Sequence, residues 1–162
     1  MPCQFVLCII VLFLCKPIQI FVGERMPGQY IAGSRTSVLL VEDEAAVRKV
    51  MKARLQIEGY SVVEAENATM AIRAFEAEAP FDLILTDIVM PGGLQGTGLV
   101  KALREKDPSV KAIFMSGYPN EAAIHGNGLR PEDVKLMKPV SKDDLLRALK
   151  RVLGASPDRK DR

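Results

Sequence analysis

Leu83-Ile84-Leu85-Thr86-Asp87-Ile88-Val89-Met90-Pro91-Gly92-Gly93 is the stretch on which the fold turns: a short apolar run, an acid, and a Pro-Gly-Gly loop. A continuous apolar run of this length, bounded by turn residues, reads as a strand covered on both faces. The strand is expected over Asp82 to Thr86, with Asp87 just past its end. Upstream, Pro80 closes a helix that Asn67 can cap, with Ala71, Ile72 and Phe75 on its inner face. Before it come a strand over Tyr60 to Val63 and Gly59, which stops a first helix. In that helix Ala46, Val50, Ala53 and Ile57 recur at spacings of four, three and four, and are expected to face the core. Ser37 to Val41 forms the first strand.

Downstream the alternation continues. A helix runs from about Gly98 to Lys106, a fourth strand from Val110 to Met115 and a fifth from Val134 to Met137. Ser141 caps a last helix with Leu145, Leu149, Val152 and Leu153 inward, and Gly154 ends it. The weak element lies between the fourth and fifth strands. Glu121 to Ile124 begins a helix, but Gly126, Asn127 and Gly128 follow, and each mid-helix glycine costs about 1 kcal/mol. One or two turns and then a loop are expected there. Five strands alternating with helices point to an α/β domain, a parallel sheet with helices on both faces.

Composition is compatible with this. The chain has 162 residues, 48% hydrophobic and 26% charged, with a net charge of +2. That balance is globular, with room for one domain of ordinary size. No concentrated basic face is visible, so direct nucleic-acid binding is not expected. The three cysteines are Cys3, Cys8 and Cys15, which gives neither a disulfide framework nor a metal spacing with histidine. A cysteine-free domain suits a reducing, cytoplasmic setting.

Residues 1–33 form an apolar segment and linker, 34–154 the globular domain and 155–162 a short polar tail. Phe5 to Cys15 is unbroken apolar sequence, and Ile18 to Val22 nearly extends it past Lys16-Pro17. A spanning helix needs about 20 apolar residues, and Lys16-Pro17 interrupts this one. Three readings stand open: a membrane anchor with the domain on the cytoplasmic side, a cleaved signal, or sequence upstream of a working start at Met26. Membrane contact is expected only if residues 5–22 are an anchor.

In an open α/β sheet, ligands bind beyond the carboxyl ends of the strands, where strand order reverses. After the first strand come Glu42 and Asp43, after the third Asp87, after the fourth Ser116 and after the fifth Lys138. Any one of these alone reads as a cap, a turn or a solvated side chain. Their joint placement at four strand ends carries the reading. Crowded carboxylates repel, and a raised pKa or a bound cation relieves them. An oxygen-only set suits Mg2+, with Mn2+ as the alternative ion. Lys138 offers a point charge for phosphate oxygens and Ser116 a hydroxyl donor. A carboxylate nucleophile, a divalent cation and a fixed ammonium together support aspartyl-phosphate chemistry.

The segments Val38-Leu-Leu-Val-Glu-Asp-Glu44, Leu83-Ile-Leu-Thr-Asp-Ile-Val-Met-Pro-Gly92, Phe114-Met-Ser-Gly-Tyr118 and Leu136-Met-Lys-Pro139 resemble the receiver domain of two-component response regulators. The resemblance spans about Ser34 to Leu153. It implies a flavodoxin-like, doubly wound sheet in the order 2-1-3-4-5. It also implies Asp87 as phosphoacceptor and Mg2+ ligand, Asp43 as a direct Mg2+ ligand, Glu42 acting through water and the Val89 backbone carbonyl as a further ligand. Ser116 matches the switch hydroxyl, Lys138 the lysine of the site, and the Lys138-Pro139 bond is expected to be cis. The implied partner is a histidine kinase or a histidine phosphotransfer protein. The implied chemistry is Mg2+-dependent self-phosphorylation from phosphohistidine followed by slow autodephosphorylation.

Two departures are visible. Lys135 occupies the position of the family's aromatic switch residue, and a lysine does not pack inward as a ring would. The Pro91–Gly96 loop is one residue longer than the commonest form, which resembles stand-alone receivers and those of hybrid histidine kinases. Tyr118, two residues past Ser116, is placed to shield a phosphoryl group from water. His125, beside Gly126, reads as a loop residue. A haloacid-dehalogenase-like hydrolase needs a second aspartate two residues past the nucleophile, where this chain has Val89. A phosphorylation-independent pseudo-receiver is the alternative to the phosphoacceptor reading. The residues after Gly154 leave no room for an output domain, so signalling is expected by protein contact.

Overall fold

The computed structural model describes residues 35–78, 80–118 and 129–154. Its strands are β1 (Ser37–Val41), β2 (Ser61–Ala65), β3 (Leu83–Asp87), β4 (Lys111–Ser116) and β5 (Val134–Met137). Its helices are α1 (Ala45–Ile57), α2 (Ala68–Glu78), α3 (Gly96–Lys106) and α4 (Lys142–Leu153). All strand pairs are parallel, and the sheet order is β2-β1-β3-β4-β5, the flavodoxin-like arrangement. The order reverses between β1 and β3, so the carboxyl ends of these two strands open the crevice.

The apolar strands fill two separate cores because side chains alternate across the sheet. Leu39, Val41, Ile84 and Phe114 pack on one side with Phe75 of α2 and Leu99 and Leu103 of α3. Val38, Leu40, Leu85, Ile113 and Met115 pack on the other with Met51 and Leu55 of α1 and Leu145 and Leu149 of α4. Val152 and Leu153 also pack here, partly buried, as the α4 stripe predicts.

The ends of the helices are set by local chemistry. The Asn67 side chain accepts the Met70 amide at 2.9 Å, and Ser141 accepts the Asp144 amide at 3.1 Å. Gly59 closes α1 with φ +91°, a conformation side chains with a Cβ resist. Asp143 and Asp144 begin α4 while Lys150 and Arg151 end it, which complements the helix dipole.

The α1 stripe is a correction. Met51 and Leu55 are buried, with Val47 packed beside them, whereas Val50 is 50% and Ile57 78% exposed. Helix α1 carries two apolar stripes, and the expected one contained two alanines. Fully burying a Met or Leu side chain contributes about 1.5–3 kcal/mol, far more than an alanine methyl offers, so the heavier stripe takes the core. Boundaries also move. β2 ends at Ala65, so Glu64 lies within it, paired with Lys52 at 2.5 Å. β3 and β4 include Asp87 and Ser116 as their last residues, and α3 begins at Gly96.

At the amino ends of β4 and β5 lies an ion pair of another kind. Arg104 of α3 meets Asp133 with Nη2–Oδ1 2.5 Å and Nη1–Oδ2 2.9 Å, and both side chains are almost wholly buried. Asp133 also accepts the Arg130 amide at 2.7 Å, and Arg104 Nε donates to the Val110 carbonyl at 3.2 Å. The apolar segment 1–33, the expected Glu121–Ile124 helix, His125 and the 155–162 tail lie outside the described residues. Among the described residues, no helix is long and apolar enough to cross a membrane.

Candidate functional site

The strand ends bring Glu42, Asp43, Asp87, Ser116 and Lys138 to one edge of the sheet. Carboxylate oxygens of Glu42, Asp43 and Asp87 lie within 4.8 Å of one another. Glu42 is fully buried, Asp87 nearly so, and Asp43 exposed. Lys138 Nζ lies 2.6 Å from Asp87 Oδ2 and donates to Glu42 Oε1 at 3.1 Å. Glu42 Oε2 is 2.9 Å from the same ammonium, yet it makes no directed hydrogen bond. The Lys138 ammonium is thus the cation that compensates this buried carboxylate oxygen.

Backbone hydrogen bonds carry these side chains. The Ile88 amide donates to the Met115 carbonyl at 2.8 Å, and the Lys138 amide to the Ser116 carbonyl at 2.7 Å. Both Asp87 and Lys138 are thereby referenced to β4. The Lys138-Pro139 peptide is cis. The loop after Asp87 is closed by Gln95, whose Oε1 accepts the Met90 amide at 3.0 Å while its Nε2 donates to the Met90 carbonyl at 3.4 Å. Val89 lies inside this loop; its side chain has no donor atom, so only its backbone carbonyl could serve a cation.

Electrostatics follow the burial. Loss of water raises the pKa of Glu42 and of Asp87 above the ordinary carboxylate range; hydrogen bonds and charge attraction from Lys138 oppose this without cancelling it. For Lys138 burial works toward neutrality, but hydrogen bonds to Asp87 and Glu42 and their charges outweigh it and raise its pKa. The ammonium is held protonated between two acids that burial disfavours. This all-oxygen set fits Mg2+, a hard cation that tolerates incomplete protein ligation by keeping waters.

Ser116 is buried and its Oγ donates to the Tyr118 backbone carbonyl at 2.6 Å, while the Tyr118 side chain is largely exposed. Lys135 points to solvent from β5. Two contributors were missed in the sequence: Gln95 and Gly96. The last shows how tightly the site is built. A Cβ on Gly96 would stand 1.9 Å from the Asp87 carbonyl oxygen, because the first turn of α3 packs directly on that peptide. A glycine opening a helix after a Pro-Gly-Gly loop was the available signal. Gly96→Ala is expected to lower stability by about 1–3 kcal/mol and to displace the Asp87 amide resonance. Thermal melts and amide NMR spectra would check both; an unshifted Asp87 amide would refute the close packing.

With this geometry in view, the family follows. The response regulator receiver domain pattern matches residues 38–150, and the chain belongs to that family. Sensor kinase CckA of Brucella abortus (strain 2308) is 39% identical over 127 residues, covering 76% of this chain but only 13% of that protein. Response regulator receiver protein CpdR of the same organism is 33% identical over 120 residues, covering 74% of this chain and 98% of its own. The solved structure of response regulator TrrA from Thermotoga maritima, in complex with Mg2+-BeF, superposes with a TM-score of 0.62 at 28% identity. It covers 72% of this chain and 97% of that one. The Glu42, Asp43 and Asp87 pocket is of the kind typical of receiver phosphoacceptor sites, and receivers of two-component systems pair with histidine kinases.

Proposed function

We propose that this chain accepts a phosphoryl group onto Asp87 from the phosphohistidine of a histidine kinase or histidine phosphotransfer protein, and signals by protein contact. The observation that carries the reading is Lys138 Nζ at 2.6 Å from Asp87 Oδ2, beside the clustered carboxylates of Glu42, Asp43 and Asp87. An Asp87 oxygen attacks phosphorus, an acyl-phosphate P–O bond forms, and the P–N bond breaks with its electron pair returning to the donor imidazole. Asp43, Asp87, Glu42 through water and the Val89 carbonyl would hold Mg2+ or Mn2+, which would supply charge neutralisation at the phosphoryl oxygens.

Lys138 stays charged and pairs with a phosphoryl oxygen in place of Asp87 Oδ2. Ser116 leaves the Tyr118 carbonyl and donates to another phosphoryl oxygen, which couples the new charge to the loop after β4. The exposed Tyr118 ring, two residues past Ser116, would slow the entry of hydrolytic water. Lys135 has no ring to turn inward, so the readout rests on backbone and charge. The presence of CpdR among the relatives supports a receiver that acts without an attached output domain, and the kinase partners of the family support a cytoplasmic setting.

Incubation with a small acyl-phosphate donor, with and without Mg2+, followed by intact-mass spectrometry tests the proposal. One added phosphoryl group that requires Mg2+ is expected, and borohydride reduction followed by peptide mapping should place it at residue 87. No adduct under any condition would mean a phosphorylation-independent pseudo-receiver.

A further inference from the structure

We infer that Arg48, outside the acidic cluster, is a positioning residue that holds the backbone of Glu42 and Asp43 and so sets the divalent-cation affinity of the site. This rests on the phosphoacceptor reading above. Arg48 stands in the first turn of α1, and its Nη1 donates to the carbonyls of Glu42 at 2.6 Å and Asp43 at 3.1 Å. The Glu42 amide donates to the Ala65 carbonyl at 3.1 Å. The Glu42 residue is thus tied on one side to β2 and on the other to α1. The Asp43 side chain is exposed, so its direction depends on the backbone beneath it.

Glu64 steadies the arginine in turn. Its Oε2 lies 4.0 Å from Arg48 Nε, and its Oε1 takes Lys52 Nζ at 2.5 Å. The guanidinium is planar, presents donors in a fixed fork and reaches one bond further than a lysine ammonium. It can bridge two carbonyls and still face Glu64. Groups behind first ligands orient them, and removing such a group commonly weakens metal affinity by about 10–100-fold.

Two effects of Arg48 have opposite signs, which makes the test decisive. As a mere nearby cation, Arg48 would repel Mg2+, and its removal would tighten binding. As a backbone clamp, its removal loosens the ligands and weakens binding. The full-length wild type, Arg48→Met and Arg48→Lys would be titrated with Mg2+ by isothermal calorimetry, with metal-free thermal melts alongside. Arg48→Met should bind Mg2+ about tenfold more weakly. Arg48→Lys, which keeps the charge but not the fork, should fall between it and the wild type.

At saturating Mg2+ the rate of phosphoryl uptake should recover, because the defect lies in cation affinity. A lowered metal-free melting temperature without this recovery would show a merely structural role and overturn the inference. Tighter or unchanged Mg2+ binding in Arg48→Met, or a wild-type affinity in Arg48→Lys, would overturn the inference and leave the phosphoacceptor reading standing. A wild type that binds no Mg2+ and takes up no phosphoryl group would overturn both.

Discussion

Asp87→Asn is expected to abolish phosphoryl uptake while raising the melting temperature of the metal-free protein by a few degrees at neutral pH. The amide is nearly isosteric but is no longer a carboxylate nucleophile. Lys138 keeps a partner, since Glu42 lies 2.9–3.1 Å from its ammonium. Removing Asp87 also removes a group whose pKa burial raises against the opposing pull of Lys138. A carboxyl whose folded pKa exceeds its unfolded value adds stability that is complete below the unfolded pKa, near 3.9, and is lost as pH rises through the folded one. The advantage of the Asn variant should therefore be small in acid and grow toward neutrality. Mg2+ should narrow the gap by stabilising the wild type. Melts at several pH values, with and without Mg2+, read this directly. A variant that melts lower than the wild type at neutral pH would show that the buried acid stabilises the fold.

The largest effect on stability is expected from Asp133→Ala. That carboxylate takes two hydrogen bonds from Arg104 and one from the Arg130 amide in a nearly water-free setting. Removing one partner of a buried ion pair costs about 3–5 kcal/mol, since the remaining charge loses its compensation without regaining water. A domain of this size is stable by about 5–15 kcal/mol, so the loss takes a large share of the total. The melting temperature should fall by roughly 10–20 °C. Replacing both partners with apolar residues, as in Arg104→Met with Asp133→Leu, should recover much of the loss. The pair lies at the amino ends of β4 and β5, away from the carboxyl-end crevice. Mg2+ binding by the folded fraction should therefore be unchanged. A single variant melting within a few degrees of the wild type would contradict the assignment.

The two ends of the sheet show what a sequence displays and what it conceals. β1 and β5 match their expected bounds, Ser37–Val41 and Val134–Met137, because short apolar runs between polar residues leave little freedom of register. Glu42, Asp43, Asp87, Ser116 and Lys138 were legible because each follows or ends such a run. The phase of α1 was not, since its apolar residues form two stripes, and only packing against β1 and the opposite helix selects one. Nor were Arg48 and Gln95, because both act by side-chain contact with backbone atoms, which leaves no periodic trace. Asp133 stands 29 residues from Arg104 in the chain, and only the closed sheet makes them neighbours.

The division of the interior into two cores has a consequence for how such a chain can change over generations. Helices α1 and α4 answer to one set of strand side chains, and α2 and α3 to the alternate set. Substitutions far enough apart to share no contact combine additively. One half of the interior can therefore drift, refit and acquire a new outer surface while the other remains unchanged. The crevice at the strand ends is the place where both halves must agree.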